Sequence, residues 1–383
     1  MKIQGVVMAA KPSKQVLGGR VKVKVAIAQK SPAFMNRDTS VARACAVIEE
    51  AGRHGAQLVV FPAAWLAGYP YWTEGWDSSL PQWAGGRILF RDNALVVPSE
   101  DSERLAHAVR RAGVYVALGC NEMDPRPEVQ TIYNSLIFFV PDGTVLGRHR
   151  KLMPTFTERL FWGQGDARDL VVFDTDIGRL GGLICGEHLM TLARACMIAQ
   201  GEDIHVAVFP GAFELHTGPR LEELEHAGGF WGHFEVRSHA LEAGAFVVSG
   251  CAVLHEVDVA DEFPYKGKMN IGYAHGGSEV VAPLGIALAG PVYGEALVYA
   301  ELEAWMIKAT KAIVDTMGHY ARPDVLRLLV HGEQGWQPVG SVRDLAPIRL
   351  ALTDEALTRA ADARDVDPAT VVELAEEVRR ATG

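Results

Sequence analysis

Cys185 closes an apolar run, Arg179-Leu180-Gly181-Gly182-Leu183-Ile184-Cys185, and opens a helix-like stretch, Gly186-Glu187-His188-Leu189-Met190-Thr191-Leu192-Ala193-Arg194. A cysteine at a strand-to-helix turn lies by the positive end of the helix dipole, which favours the thiolate, the nucleophilic form. A buried apolar filler has the same local sequence, so the neighbourhood alone does not choose between them. The other cysteines, at 45, 120, 196 and 251, leave an odd and scattered set without C-x-x-C spacing. That pattern excludes a disulfide framework and a structural zinc site, and it leaves single-cysteine chemistry as the option.

The elements that would carry such a residue follow from periodicity. Val21 to Ala28 alternates and then turns fully apolar, as a strand entering a core does, and residues 38–54 follow as an amphipathic helix. Ala56 to Pro62 is a second strand. A helix over 102–112 and strands over 114–120 and 135–140 repeat the unit. Further strands are expected at 169–173, 180–185, 205–209, 245–250 and 278–282, with helices at 188–200 and 235–243 between them. Strands alternating with helices define an α/β domain rather than an all-strand sandwich.

Residues 1–20 mix Lys, Gly and Pro without periodicity and read as a loose extension. One domain covers 21–325, and 326–383 form a C-terminal extension. Its helical tail comprises Thr353 to Ala363 and Asp367 to Arg380, where Asp367 and Pro368 supply an N-cap and first-turn proline. A hydrophobic fraction of 49% supports a substantial core, and the net charge of −10 excludes a broad phosphate-binding surface, so nucleic acid is not an expected partner. No apolar stretch reaches the roughly 18 residues of a membrane span, and the N-terminus lacks a signal peptide's apolar core. Cytoplasm is the expected compartment.

Five ordered blocks then carry a family resemblance. They are Phe61-Pro62-Ala63-Ala64-Trp65-Leu66-Ala67-Gly68-Tyr69-Pro70; His149-Arg150-Lys151-Leu152-Met153-Pro154-Thr155; Glu158 to Asp166; Leu183-Ile184-Cys185-Gly186-Glu187; and Gly318-His319-Tyr320-Ala321-Arg322-Pro323-Asp324. Together they resemble the nitrilase branch of the carbon–nitrogen hydrolases over residues 21–325. The resemblance implies a four-layer α-β-β-α sandwich, a homodimer that builds into a larger homo-oligomer or spiral, and no metal or organic cofactor.

It also implies a site. The nucleophile falls on Cys185, the charge-stabilising lysine on Lys151, and an orienting or assisting glutamate on Glu158. Glu187 matches an acidic position whose expected task is structural, at the start of the helix. At the position of the general-base glutamate stands Ala63, and a methyl group moves no proton; that role is worth about 10²–10⁴-fold in rate. Either a substitution has stalled catalysis, or the chain has diverged toward other chemistry. Intact Lys151, Glu158 and Cys185 favour the first. Gly186 replaces a frequent tryptophan and Phe156 a frequent histidine, which points to a wider, more apolar pocket. His188, Trp65 and Tyr69 join them as expected pocket residues, and Tyr71, Trp72 and Trp76 lie on the same segment.

The expected reaction is hydrolysis of a small organic nitrile by water to a carboxylic acid and ammonia, through a Cys185 thioimidate and thioester, stalled by Ala63. An amidase or amide-forming relative is the alternative enzyme. A non-catalytic ligand-binding or filament-forming homologue is the alternative of another class.

Overall fold

The computed structural model describes residues 15–73, 79–211, 232–272, 274–326, 328 and 330. Strand β1 (Lys22–Gln29) shows how the sequence builds the layers. Val23, Val25 and Ile27 pack into one core, while the intervening Ala26 and Ala28 pack into another. Both faces of the strand are covered, so the alternation begun by Lys22 and Lys24 gives way to an unbroken apolar run. The Ala26 side is covered by α1 (Arg37–Arg53), which inserts Val41, Ala44 and Ile48, and by α3 (Glu100–Ala112), which inserts Leu105 and Val109. Side chains open both helices: Asn36 accepts the Thr39 amide of α1, and Ser99 accepts the Ser102 amide of α3.

The first sheet has the order β12-β1-β2-β3-β4-β5, from β2 (Leu58–Val60), β3 (Tyr115–Met123), β4 (Ile132–Phe139), β5 (Val145–Arg150) and β12 (Ala296–Glu303). β1, β2 and β3 are parallel; β4 and β5 each reverse direction, so β5 again runs with β2. The second sheet has the order β11-β10-β9-β8-β7-β6. Its strands are β6 (Phe173–Thr175), β7 (Gly178–Ile184), β8 (Ile204–Phe209), β9 (Phe246–Cys251), β10 (Gly276–Val281) and β11 (Ala287–Tyr293), with β7, β8 and β9 parallel. Val25, Ile27, Val60 and Phe138 of the first sheet meet Leu180, Val206, Val208 and Val247 of the second in one cluster. Helices α4 (Thr191–Gln200) and α5 (Gly232–Ala243) belong to the second sheet's side. The result is the four-layer α-β-β-α sandwich that the resemblance implies.

Helices α2 (Leu80–Asn93) and α6 (Ala304–Ile313) and strands β5, β11 and β12 have no counterpart in the sequence reading. β5 and β11 are sheet edges with half-exposed residues, so neither shows a clean apolar run. The strand expected over 169–173 is displaced: Ala167–Asp169 is a 3₁₀ turn and pairing starts at Phe173. Residue 20 is too late a start for the domain. Leu17 is fully buried in the inter-sheet cluster, and its amide donates to the Asp203 carboxylate at 3.2 Å. Burial of that side chain contributes about 1.5–3 kcal/mol, which a loose extension would forgo. At the other end, Leu328 and Val330 pack against Leu170, Leu183 and Met197, so the chain stays on the domain past residue 325. The expected helices of the tail lie outside the described residues.

Candidate active site

The strands of the first sheet bring two of the expected positions to one edge. β2 and β5 run in the same direction, so Ala63, just past β2, and Lys151, the first residue past β5, leave the sheet at the same end. Cys185 is the first residue past β7 of the facing sheet. Residues beyond the carboxyl ends of strands are free of ladder pairing and can converge on a ligand.

Lys151 and Glu158 form an ion pair at 2.6 Å, each only 1% exposed. A 3₁₀ turn over Phe156–Leu160 places the glutamate. Its Oε2 also accepts the Thr155 amide at 2.6 Å, and its Oε1 accepts the Tyr69 hydroxyl at 3.1 Å. The lysine Nζ makes a second donation, to the Thr155 hydroxyl at 3.2 Å. Burial works to lower the Lys151 pKa, yet Glu158 and Cys185 outweigh it and raise the value, so the ammonium persists.

Cys185 is 8% exposed and holds a left-handed backbone, φ +53°. Burial pushes its thiol up to about 12; Lys151 and the Gly186 amide pull it down, while Glu158 and Glu235 push it further up. The expected lowering by a helix dipole is therefore overturned. Cys185–Leu189 is a five-residue 3₁₀ turn, and the chain breaks at Met190 before α4 begins. So short a turn offers little macrodipole, and desolvation dominates.

Ala63 is 1% exposed and packs in the same cluster as Cys185. Its segment crosses closely over β3, where a Cβ on Gly119 would collide with the Pro62 carbonyl. Tyr69 touches the site through Glu158. Gly186 adjoins it: a Cβ there would come 3.1 Å from the Thr155 hydroxyl, so any side chain would press on a partner of Lys151.

Of the remaining pocket candidates, His188 meets the Cys185 backbone, whereas Trp65 and Phe156 lie elsewhere. Trp65 lies in the outer core with Phe61, α1 and α3, its Nε1 donating to the Lys30 carbonyl at 2.6 Å. It sits in a turn, just past Ala64 at φ +49°, that carries it away from the thiol. Phe156 is 79% exposed at φ +46° and lines no enclosed wall among the described residues. His188 is buried, with Nδ1 on the Cys185 carbonyl and its ring stacked on Phe209, so it supports the turn from within. Tyr71 is buried with its hydroxyl on the Pro210 carbonyl at 2.7 Å, and Trp72 stacks on Phe90 and Tyr265. Trp76 lies outside the described residues.

Two contributors were not singled out from the sequence, and a third does more than was expected of it. Thr155 stands inside the Lys151 block and was legible there as a hydroxyl four residues from the lysine. Glu235 on α5 had no local signal; half-buried, it is pushed up to about 7 by burial, against the pull of Arg194. Glu187 was expected to bond at the helix start, and it does more. It accepts the Ile184 amide at 2.8 Å, the Leu152 amide at 2.7 Å and His149 Nε2 at 2.7 Å, tying the exits of β7 and β5 together. Among the described residues one group could hold a metal ion, Glu202, His205 and His239, with ligand atoms within 4.8 Å of one another.

The chain is similar to known proteins. Residues 24–312 match the carbon-nitrogen hydrolase family. Nitrilase 3 of an unknown prokaryotic organism is 37% identical over 313 residues, 80% of this chain and 90% of the relative. The aliphatic nitrilase of Rhodococcus rhodochrous is 32% identical over 331 residues, 84% of this chain and 82% of the relative. Among solved structures, Saccharomyces cerevisiae Nit3, a member of branch 10 of the nitrilase superfamily, superposes with a TM-score of 0.61 at 24% identity. That match covers 82% of this chain and 100% of the yeast protein. The chain belongs to the carbon–nitrogen hydrolases, in their nitrilase branch.

Proposed function

We propose that this chain is a nitrilase framework, built to convert a small organic nitrile and water to a carboxylic acid and ammonia, and stalled by Ala63. The observation that carries the reading is the fixed Lys151–Glu158 pair beside Cys185, with a methyl group where a carboxylate belongs. Sulfur adds to the nitrile carbon, and negative charge develops on nitrogen. The buried ammonium of Lys151 neutralises it, and Glu158 keeps that ammonium charged and aimed. Water then converts the thioimidate to a thioester with loss of ammonia, and a second water releases the acid. All three steps are additions of sulfur or oxygen to an unsaturated carbon, so the route calls for no metal or organic cofactor.

Each addition also needs a group that accepts a proton. The Cys185 thiol, high at about 12, is almost wholly protonated at neutral pH, and Glu158 is already occupied by three donors. Ala63→Glu restores the acceptor. The assay is ammonia and acid release from aliphatic, arylaceto- and aromatic nitriles. If the revertant exceeds the given chain on none of them, the reading fails; accumulation of amide without acid moves it to the amide-forming alternative.

The same reading has the chain pair with a second copy and extend into a larger homo-oligomer. Leu192 on α4 and Phe234 on α5, 72% and 64% exposed, leave apolar surface for that contact. Light scattering on the purified chain checks it, a monomer at micromolar concentration being the adverse result.

A further inference from the structure

Beside the Cys185 turn lies a buried polar cluster that the nitrile chemistry does not use. Glu202 stands just before β8, His205 lies on β8 and His239 on α5, and all three are 0% exposed. Taking an ionised carboxylate out of water is costly unless a cation faces it. Yet among the described residues no lysine or arginine pairs with Glu202. Its partners are two imidazoles, His205 Nδ1 at 2.7 Å from Oε1 and His239 Nε2 at 2.9 Å from Oε2. The two rings lie 3.8 Å apart, centroid to centroid. One ligand atom from each of the three side chains falls within 4.8 Å of the others.

We propose that Glu202, His205 and His239 bind one structural divalent ion of the zinc class, which clamps α5 to β8 beside the nucleophile's turn. Two imidazole nitrogens and a carboxylate oxygen suit a borderline ion such as zinc, whereas calcium and magnesium take shells of oxygen. Bonds of about 2.0–2.1 Å at tetrahedral angles set ligand atoms about 3.4 Å apart. The separations here, from 2.7 Å to no more than 4.8 Å, bracket that spacing, so small side-chain rotations admit the ion. The ion supplies the positive charge that Glu202 otherwise lacks. Arg194 of α4, which also faces the cluster, is neutralised by Glu242 of α5 at 2.6 Å and does not repel it. Three protein ligands leave a fourth position for water. No substrate reaches that position, since every ligand is sealed from solvent, so the ion's task is structural.

The consequence extends to Cys185. With His205 Nδ1 on the ion, that ring's hydrogen sits on Nε2, 3.1 Å from His188 Nε2, and His188 Nδ1–H faces the Cys185 carbonyl at 2.8 Å. Outer partners of this kind fix the tautomer and orientation of a ligating histidine. Through two rings the ion thus reaches the backbone of a residue held at φ +53°. Glu202 and His205 come from the second sheet and His239 from a helix on that sheet's side, so the clamp joins two layers.

The metal content of the full chain, purified without chelator and measured by inductively coupled plasma mass spectrometry, tests this. The expected result is one zinc-class ion per chain, or its uptake from added zinc chloride. Stripping with EDTA should lower the melting temperature by about 5 °C, and zinc chloride should restore it. Protein that carries no ion and gains neither ion nor melting temperature from zinc chloride overturns the proposal. An ion whose removal leaves the melting temperature unchanged overturns the clamp. His239→Leu and Glu202→Leu should each lose the ion, and its full retention by either overturns the assignment of ligands. Where those variants do not fold, zinc-edge X-ray absorption of the unaltered chain decides. A shell of nitrogen and oxygen alone supports the site, and sulfur in it, from any of the cysteines, overturns it. The inference does not rest on the nitrilase reading: a bound ion with an inactive Ala63→Glu revertant sinks that reading alone.

Discussion

Lys151 and His149 stand two residues apart where β5 ends, and each is paired with a buried glutamate: Glu158 at 2.6 Å and Glu187 at 2.7 Å. The pairs differ in what else the carboxylates hold. Glu158 gathers Thr155, Tyr69 and Lys151, all carried by the first sheet's side, and leaves the ammonium facing Cys185. Glu187 gathers backbone amides from both sheets, Leu152 after β5 and Ile184 before the thiol, and turns its histidine inward to the Asp169 carbonyl. Similar pairs thus serve different ends. The first aims a charge, and the second fixes the distance between the two strand ends that carry lysine and cysteine.

The largest effect that would sharpen this contrast is Ala63→Glu, expected to raise nitrile turnover about 10²–10⁴-fold, read as ammonia release. Next, Glu187→Leu strands His149 and two amides and should cost about 3–5 kcal/mol in urea unfolding. A loss below 1 kcal/mol would end the claim that Glu187 holds the sheets' exits. Lys151→Met, which keeps the apolar stem, should lower turnover of the Ala63→Glu revertant about 10²–10³-fold. Equal turnover with and without the ammonium would erase the difference between the pairs.

Two smaller effects depend on pH. Burial disfavours the charged form of each member of the His149–Glu187 pair, but their mutual attraction prevails, raising the histidine above 6.5 and lowering the glutamate below 4.5. The glutamate's contribution is present above its unfolded value and lost as pH falls through the folded one. The histidine's is present below its unfolded value and lost as pH rises through the folded one. Melting curves of the given chain and Glu187→Leu should therefore lie furthest apart from about pH 4.5 to 6.5 and converge in acid. A gap that persists to pH 2 would mean that the pair is not ionic. Smallest, Glu235→Gln removes a charge that raises the Cys185 thiol, so alkylation at pH 9 should quicken severalfold. In the unaltered chain that rate should climb through pH 8.5 without the plateau of an ordinary cysteine.

Much of this arrangement was legible in the sequence. The apolar runs that became β1, β3, β7, β8 and β9 are covered on both faces, and such strands announce themselves. Edge strands such as β11 expose alternate residues and carry proline and glycine, so their pattern is weak. Lys151, Glu158 and Cys185 were found because their blocks are ordered along the chain, and Glu187 because it follows the cysteine. Trp65 was misplaced because a motif gives proximity in sequence, whereas the direction of a side chain depends on the turn of the backbone that carries it. The thiol's high value was out of reach for a similar reason: desolvation is set by the facing sheet, not by neighbours in the chain. Glu235 reaches the site through α5, far along the sequence, and carries no motif of its own.

Because lysine and thiol come from different sheets, the reactive pair exists only in a chain whose halves have docked. Before docking, Cys185 is an ordinary exposed sulfhydryl that oxidises and alkylates readily; afterwards it is sequestered and slow. Thiol reactivity in this chain is thus a gauge of assembly, and the moment of greatest exposure to adventitious damage comes during synthesis rather than during service.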